Sequence, residues 1–293
     1  MKELVSVVIP AFNREKTIVR AIHSVLNQTY PLVEVIIVDD CSSDCTQETI
    51  LNSFANDSRV IYYKLNKNSG ACVARNVGVK LSKGKFVAFL DSDDSFIPDK
   101  IEKQVNLLKK TNSLLCATDF TYIQSNGEEK YVKSFTGKET IYENLLYCNF
   151  ITTGTLLGYK DCFVDIPFDE SLPRYQDWDL VLRLCKKYSF CFLNESTLLQ
   201  YYQPISITAS TNNDKTFVAL MTIYGKNIDG YKLNSKAYSQ IHWLIGLHSL
   251  FVPNQKKLRS LWKGVVGNGF NFRRLMIYFA AVLNLKGFIR NKI

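Results

Sequence analysis

Four short apolar runs, LVSVVIP, VEVIIVDD, RVIYYKL and KFVAFLDSDD, alternate with helical segments across the first 110 residues. Runs this short and this rich in Val and Ile suit strands buried on both faces, as in a parallel sheet. After the first run, Ile18, Ala21, Ile22, Val25 and Leu26 fall at helical spacing, and after the fourth Ile101, Val105 and Leu108 do the same. Repeated strand–helix alternation means βαβ units and a sheet with helices on both faces. Sheets of this kind bind ligands outside the carboxyl ends of their strands. The chain places its carboxylates there: Asp39 and Asp40 end the second run, and Asp91, Asp93 and Asp94 end the fourth.

Local signals punctuate the pattern. Asp44, with Gln47 three residues on, reads as a capping-box start for TQETILNSFA. Gly70 opens the helix GACVARNVGVKL, and Pro98 fits a first helical position. From Leu114 the rhythm changes. LLCATDFTYI and EEKYVKSF read as antiparallel or edge strands around the turn SNGE, followed by a helix near Glu139–Tyr147 and the irregular ITTGTLLGY. WDLVLRLCKKY is a helix and STLLQYYQ a strand; beyond Asn212 only helices are expected, near 213–228, 236–250 and 272–285. The expected organisation is a sheet domain over 1–210, in two halves (1–110 and 111–210), then a helical region over 211–293.

Composition narrows the class. A hydrophobic content of 46% is ample for a core and excludes a disordered chain. The eight cysteines include no CxxC pair, and the amino terminus runs straight into a strand, so a reduced, cytoplasmic protein is expected. The net charge of +9 is uneven: residues 230–293 hold eleven Lys/Arg and no acid, whereas residues 1–229 carry a net −2.

Three segments offer chemistry. Asp91, Asp93 and Asp94 raise one another's pKa unless a cation is near, and carboxylates so spaced on a loop suit Mg²⁺ or Mn²⁺. The plain alternative is a turn and helix cap. Arg75 lies in a helix whose amino end would attract an anion, but the glycine pattern is neither a dinucleotide fingerprint nor a P-loop. In RYQDWDL, Asp177 and Asp179 flank Trp178 at a helix start. They read either as dipole-favoured acids or as a general base beside an aromatic platform for sugars. His23, His242 and His248 make no ligand spacing, and no Ser or Cys nucleophile constellation is present.

Taken in order, VSVVIPAFNRE, VIIVDDCSSD, NSGACVARNVGV, VAFLDSDDSFIPDK and QDWDLVLRL resemble glycosyltransferase family 2, from about Val5 to Arg183. The resemblance implies an α/β GT-A-type fold, a mixed, mostly parallel sheet flanked by helices, and inverting transfer from a nucleotide-diphosphate sugar. It implies that Pro10, Ala11 and Phe12 line the base pocket, with Asp39 or Asp40 accepting from the base; the uracil imide suits a carboxylate, which points to UDP. Arg75 would reach the nucleoside or diphosphate, Asp91 and Ser92 the ribose side, and Asp93 or Asp94 the Mn²⁺ or Mg²⁺. Asp177 would be the general base, with Trp178 and Asp179 on the acceptor. Two differences stand out: Gln176 occupies a position often held by Glu, and QYYQPISIT carries no His. The absence of QxxRW favours single-sugar addition.

The tail completes the reading. The apolar run Leu275–Leu285, flanked by Arg273, Arg274, Lys286 and Arg290, is about half of the ~20 residues a span needs. With Trp262, Phe270, Phe272, Tyr278 and Phe288 it reads as an interfacial helix on anionic lipid; the plain alternative is a terminal helix packed on the domain with solvated lysines. The expected partners are a UDP-sugar donor, a glycan or polyprenyl-diphosphate-linked saccharide acceptor, and the inner face of the cytoplasmic membrane; no nucleic acid is expected. Two rivals are a sugar-nucleotide pyrophosphorylase, which would carry a Gly-rich basic loop where this chain has PAFNREKT, and a non-catalytic binding module.

Overall fold

The computed structural model describes residues 2–133, 135, 139–203, 212–252, 257–267 and 271–283. The chain forms two compact units. The first comprises Met1–Gly137, Phe150–Glu170 and Arg183–Pro204; the second comprises Lys138–Asn149, Ser171–Leu182 and Ile205–Ile293. The division is therefore not a single cut near residue 210.

Unit one carries β1 (Val5–Ala11), β2 (Val33–Asp39), β3 (Val60–Lys64), β4 (Phe86–Phe89), β5 (Ser95–Phe96), β6 (Leu115–Ile123), β7 (Glu129–Val132), β8 (Leu157–Tyr159) and β9 (Phe190–Tyr201). They form one sheet in the order β3-β2-β1-β4-β8-β6-β9-β5, with β7 beside β6. β3, β2, β1 and β4 are parallel, as their unbroken apolar runs require. β8 is antiparallel between β4 and β6, which makes the sheet mixed.

Helices α1 (Ile18–Leu26), α2 (Thr46–Phe54), α3 (Ala71–Leu81) and α4 (Lys100–Thr111) alternate with the parallel strands; α6 (Lys160–Asp165) follows β8. Side chains of a strand alternate between faces, and the cores follow. Val7 and Ile9 pack with Ile22 and Val25 of α1, Ile50 of α2 and Val105 of α4. On the other face, Ile36 and Val38 pack with Ala74 of α3. Each buried aliphatic side chain contributes about 1.5–3 kcal/mol, so packing fixes the sheet and leaves the loops at its carboxyl edge to carry function.

Two local expectations are corrected. Gln47 does not cap α2; its Oε1 accepts from Lys64 Nζ at 3.1 Å, while Asp44 Oδ1 accepts from the Thr46 amide at 3.0 Å. The helix after Pro98 begins at Lys100, because Ser95 and Phe96 are drawn into pairing with Leu199 and Leu198 of β9.

Unit two is helical: α5 (Ile141–Tyr147), the first seven residues of α7 (Gln176–Cys185), α8 (Asn213–Lys226), α9 (Ile228–Leu233), α10 (Ser235–Ser249), α11 (Lys257–Val266) and α12 (Phe272–Val282). A full capping box, Thr140 with Glu143, starts α5. Asn212, Asn234 and Asn271 each cap a following helix by accepting a backbone amide. The two short helices α9 and α11 were not expected from periodicity. Trp243 and Leu247 of α10 pack with Leu261 and Val265 of α11 and with Ile277 and Ala280 of α12. Only glycines admit this approach of α10 to α11: a Cβ on Gly246 would meet the Leu261 backbone at 2.6 Å, and one on Gly264 the Trp243 backbone at 2.6 Å. Phe270, Lys286, Phe288, Arg290 and the end of the Leu275–Leu285 run lie outside the described residues.

His242 of α10 sits between Tyr224 and Tyr238, at ring separations of 4.9 and 4.4 Å, with neither ring nitrogen hydrogen-bonded. Burial, helped by the charge of Lys263, pulls its pKa from 6.5 down to about 4. The unfolded chain therefore binds this proton more readily than the folded one. Stability is whole above about pH 6.5 and falls as the pH drops toward 4, by at most about 1.4 kcal/mol per pH unit. His242→Phe is expected to flatten the acid-side fall in melting temperature, read by thermal denaturation between those pH values.

Candidate active site

The loops leaving the carboxyl ends of β1 and β2 are clasped together. Asn13 Oδ1 accepts from the Ser43 amide at 2.9 Å, and the Asn13 amide donates to the Ser42 hydroxyl at 2.9 Å. The Arg14 amide donates to the Thr46 hydroxyl at 2.7 Å, and Glu15 Oε2 accepts from the Cys45 amide at 3.0 Å. Asn13 and Cys41 hold left-handed backbone, φ 53° and 66°. Such residues cost about 1–3 kcal/mol and persist where surroundings over-determine them, often at functional sites.

The two acids ending β2 turn inward. Asp39 has no exposed surface; its carboxylate accepts from the Ser42 amide at 2.8 Å and the Tyr62 hydroxyl at 2.6 Å. Asp40 is buried as well, taking the amides of Ser69 at 2.6 Å and Gly70 at 2.8 Å, which ties it to the start of α3. Both acids are buried and brace the loops around them. Of Pro10, Ala11 and Phe12, only Phe12 is exposed, at 42%.

The acids after β4 lie on a tight turn closed by the Asp94 amide donating to the Asp91 carbonyl at 3.0 Å. Cations come to it from three places. Buried Arg75 of α3 reaches Asp91 Oδ1 at 2.7 Å, its guanidinium 5.3 Å from the Phe168 ring centre. Arg14 approaches Asp93 Oδ2 at 3.7 Å. Arg20 of α1 donates to the Asp93 carbonyl and stacks 3.6 Å from the Tyr201 ring centre. Arg75 was expected on the nucleoside or diphosphate, not on Asp91, and Arg14, Arg20 and Tyr201 were not expected at all, since nothing in their local pattern marks them.

The charges of this turn are nevertheless disfavoured. Burial first, and then the charge of Asp91, hold the Asp93 pKa above its ordinary value despite Arg14 and Arg20. Asp94 is pushed well up by burial and by both neighbouring acids, although its Oδ1 accepts the Tyr201 amide at 3.1 Å. Ser92 is buried. Among the described residues no three His, Cys, Asp or Glu form a metal cage. The partly exposed carboxyls of Asp91 and Asp93, at 35% and 19% of their side chains, nevertheless fit Mg²⁺ or Mn²⁺. Such ions take one or two carboxylates and complete their shell with water and phosphate oxygens.

In unit two, Tyr175 at φ 55° turns the chain into α7. Half-buried Asp177 stands in the first turn, where the helix dipole favours its charge. Its Oδ1 accepts from the Trp178 amide at 2.8 Å and from the Asn149 side chain at 3.2 Å, a partner the sequence reading missed. Two expectations are corrected here. Trp178 is 2% exposed and donates its indole N–H to the Leu145 carbonyl at 2.6 Å, so it is a core residue and not a sugar platform. Asp179 is fully buried against Lys226 Nζ at 2.8 Å and offers no atom to an acceptor.

A parallel α/β half continued by a mixed sheet, with an acidic turn at the carboxyl edge, defines a GT-A-type sugar-transferase architecture. The family model described as glycosyl transferase family 2 matches residues 6–163, and the chain belongs to that family of enzymes. It is 31% identical over 283 residues to the putative colanic acid biosynthesis glycosyl transferase WcaA of Escherichia coli K12, covering 89% of this chain and 98% of that protein. It is also 31% identical to the E. coli UDP-Glc:alpha-D-GlcNAc-diphosphoundecaprenol beta-1,3-glucosyltransferase WfgD, over 87% of this chain and 98% of the relative. The crystal structure of S. aureus TarS 1-349 in complex with UDP-GlcNAc shares the fold, with a TM-score of 0.72 at 18% identity, covering 96% of this chain and 87% of that one. Among the described residues no helix is long and apolar enough to cross a membrane.

Proposed function

We propose that this enzyme moves one sugar, with inversion, from a UDP-sugar to a hydroxyl of a polyprenyl-diphosphate-linked saccharide, during surface-polysaccharide assembly at the inner face of the cytoplasmic membrane. The observation that carries the reading is the acidic turn: Asp91 held by Arg75, and a half-buried Asp93 whose charge is disfavoured by burial and by Asp91. The relative named for UDP-Glc and a diphosphoundecaprenol-linked acceptor supports the substrate class.

The roles divide as follows. Exposed Phe12 and the clasped loops form the nucleoside side, with Asp39 and Asp40 fixing their shape. Arg75 sets Asp91 toward the ribose and diphosphate. Asp93 is the ligand for a divalent cation and Asp94 braces the turn on β9, because Asp93 is the more exposed of the two. When bound, the cation supplies Lewis-acid relief for charge growing on the diphosphate. The acceptor oxygen bonds to the anomeric carbon as the carbon–oxygen bond to UDP breaks, and that electron pair leaves on the diphosphate. Asp177 takes the acceptor proton, which a single displacement requires of one carboxylate apart from the metal acids.

A pyrophosphorylase is disfavoured by the β1–α1 loop, which lacks a glycine-rich cradle and is spent on holding its neighbour. A panel of nucleotide sugars with Mn²⁺ or Mg²⁺ tests the reading. UDP release is expected from a UDP-sugar, slow with water and faster with a lipid-linked acceptor. Release of pyrophosphate from a sugar phosphate and UTP, or no metal-dependent UDP release from any donor, would overturn it.

A further inference from the structure

Among the described residues, α11 and α12 share an outer face that is built in an unusual way. α12 buries Ile277 and Ala280 against its neighbours while Phe272, Met276, Phe279 and Leu283 stand 65, 45, 52 and 68% exposed. Their spacing of four, three and four residues makes one helical stripe. α11 repeats the arrangement, burying Leu261 and Val265 and exposing Trp262 and Val266 at 45 and 54%. The two stripes run into one another: the Trp262 ring is 5.0 Å from Tyr278, which is 6.0 Å from Phe279. A continuous patch of large apolar side chains, on helices that already own a core, marks a surface meant to be covered.

Charge selects what covers it. Arg259 and Arg273 are exposed on the same two helices, and the sequence beyond Asp229 holds no acid against eleven Lys/Arg. Apolar side chains among cations match the boundary between acyl chains and anionic headgroups. At eleven residues α12 is too short to span a bilayer, which takes about 20. We propose that the α11–α12 face docks on an anionic lipid bilayer, its helices lying in the membrane plane with the apolar stripe at the headgroup–acyl boundary. The proposal rests on the reading of a membrane-borne acceptor for its purpose, but its test does not.

The tryptophans provide the probe, since Trp178 and Trp243 are 2 and 8% exposed and Trp262 is the third of three. Full-length protein is mixed with vesicles of phosphatidylcholine, alone or with phosphatidylglycerol. The expected result is flotation and a blue shift of emission on the anionic vesicles only, the shift being lost in Trp262→Phe. Met276→Ser with Phe279→Ser is expected to weaken partition at least about tenfold. Arg259→Gln with Arg273→Gln is expected to weaken it roughly thirtyfold. Circular dichroism melts and UDP release without vesicles report whether each variant is folded, and both are expected to stay at the wild-type level. Equal partition of wild type and the serine variant, or equal partition onto neutral vesicles, would overturn the proposal. So would a concentration-dependent dimer in sedimentation that the serine changes abolish, with no vesicle binding, which assigns the face to a second copy. Vesicle binding without UDP release would leave the docking face standing and remove the transfer reading instead.

Discussion

Asp177→Asn is expected to lower kcat by about 10²–10⁴-fold while leaving donor binding and melting temperature close to wild type. Asparagine keeps the shape and an oxygen acceptor, so the bonds from the Trp178 amide and the Asn149 side chain survive. What it removes is the ability to take a proton. The separation of kcat from binding is the informative part. A purely structural acid at the start of α7 would show itself as a lower melting temperature, through loss of the favourable charge at the helix end, typically 0.3–1 kcal/mol. Donor affinity by calorimetry, turnover with a lipid-linked acceptor and thermal melts read the three quantities separately. Turnover within about threefold of wild type, far inside the range for removing a general base, would take the base away from Asp177.

The parallel half of the sheet was legible because its information is local. Val/Ile runs and helical stripes lie within a few residues of one another, and βαβ connectivity leaves little choice of arrangement. The acids at strand ends followed from the same reasoning. β5 and β8 were not legible: two or three residues carry no period, and only β9 on one side and β4 and β6 on the other make them strands. The cations of the acidic turn were hidden for a similar reason. Arg20 reaches Asp93 across 73 positions, and Asp179 meets Lys226 across 47.

Trp178 is a different kind of miss. Trp178, Val181, Leu182 and Cys185 fall at i, i+3, i+4 and i+7, the spacing of a buried stripe. The signal for a core residue was present and was outweighed by the two acids beside it. The inward turn of Asp39 and Asp40 had no such signal, because a strand-end carboxylate that binds a ligand and one that binds loop amides look alike in sequence. Burial and partners distinguish them, and here both carboxylates are buried and accept from the Ser42, Ser69 and Gly70 amides and the Tyr62 hydroxyl.

Asp93→Asn is expected to move stability and turnover in opposite directions. In the protein without metal, the Asp93 charge is disfavoured: burial and Asp91 outweigh the help from Arg14 and Arg20. An acid whose folded-state pKa is raised destabilises the fold at neutral pH, where it is ionised, so removing the charge should raise the metal-free melting temperature. Turnover should fall by about 10²-fold or more, because relief of charge on the leaving diphosphate is worth several kcal/mol. A third readout ties the two together. In the wild type, Mn²⁺ with UDP should raise the melting temperature through binding to the folded state, and in Asp93→Asn that increment should largely vanish. A charge that serves only the turn predicts something else: a stability change with the increment intact. An Asp93→Asn protein that still gains the full wild-type increment from Mn²⁺ and UDP would move the metal to another acid. Asp91 is the next in line, since Asp94 is buried with an oxygen already committed to the Tyr201 amide.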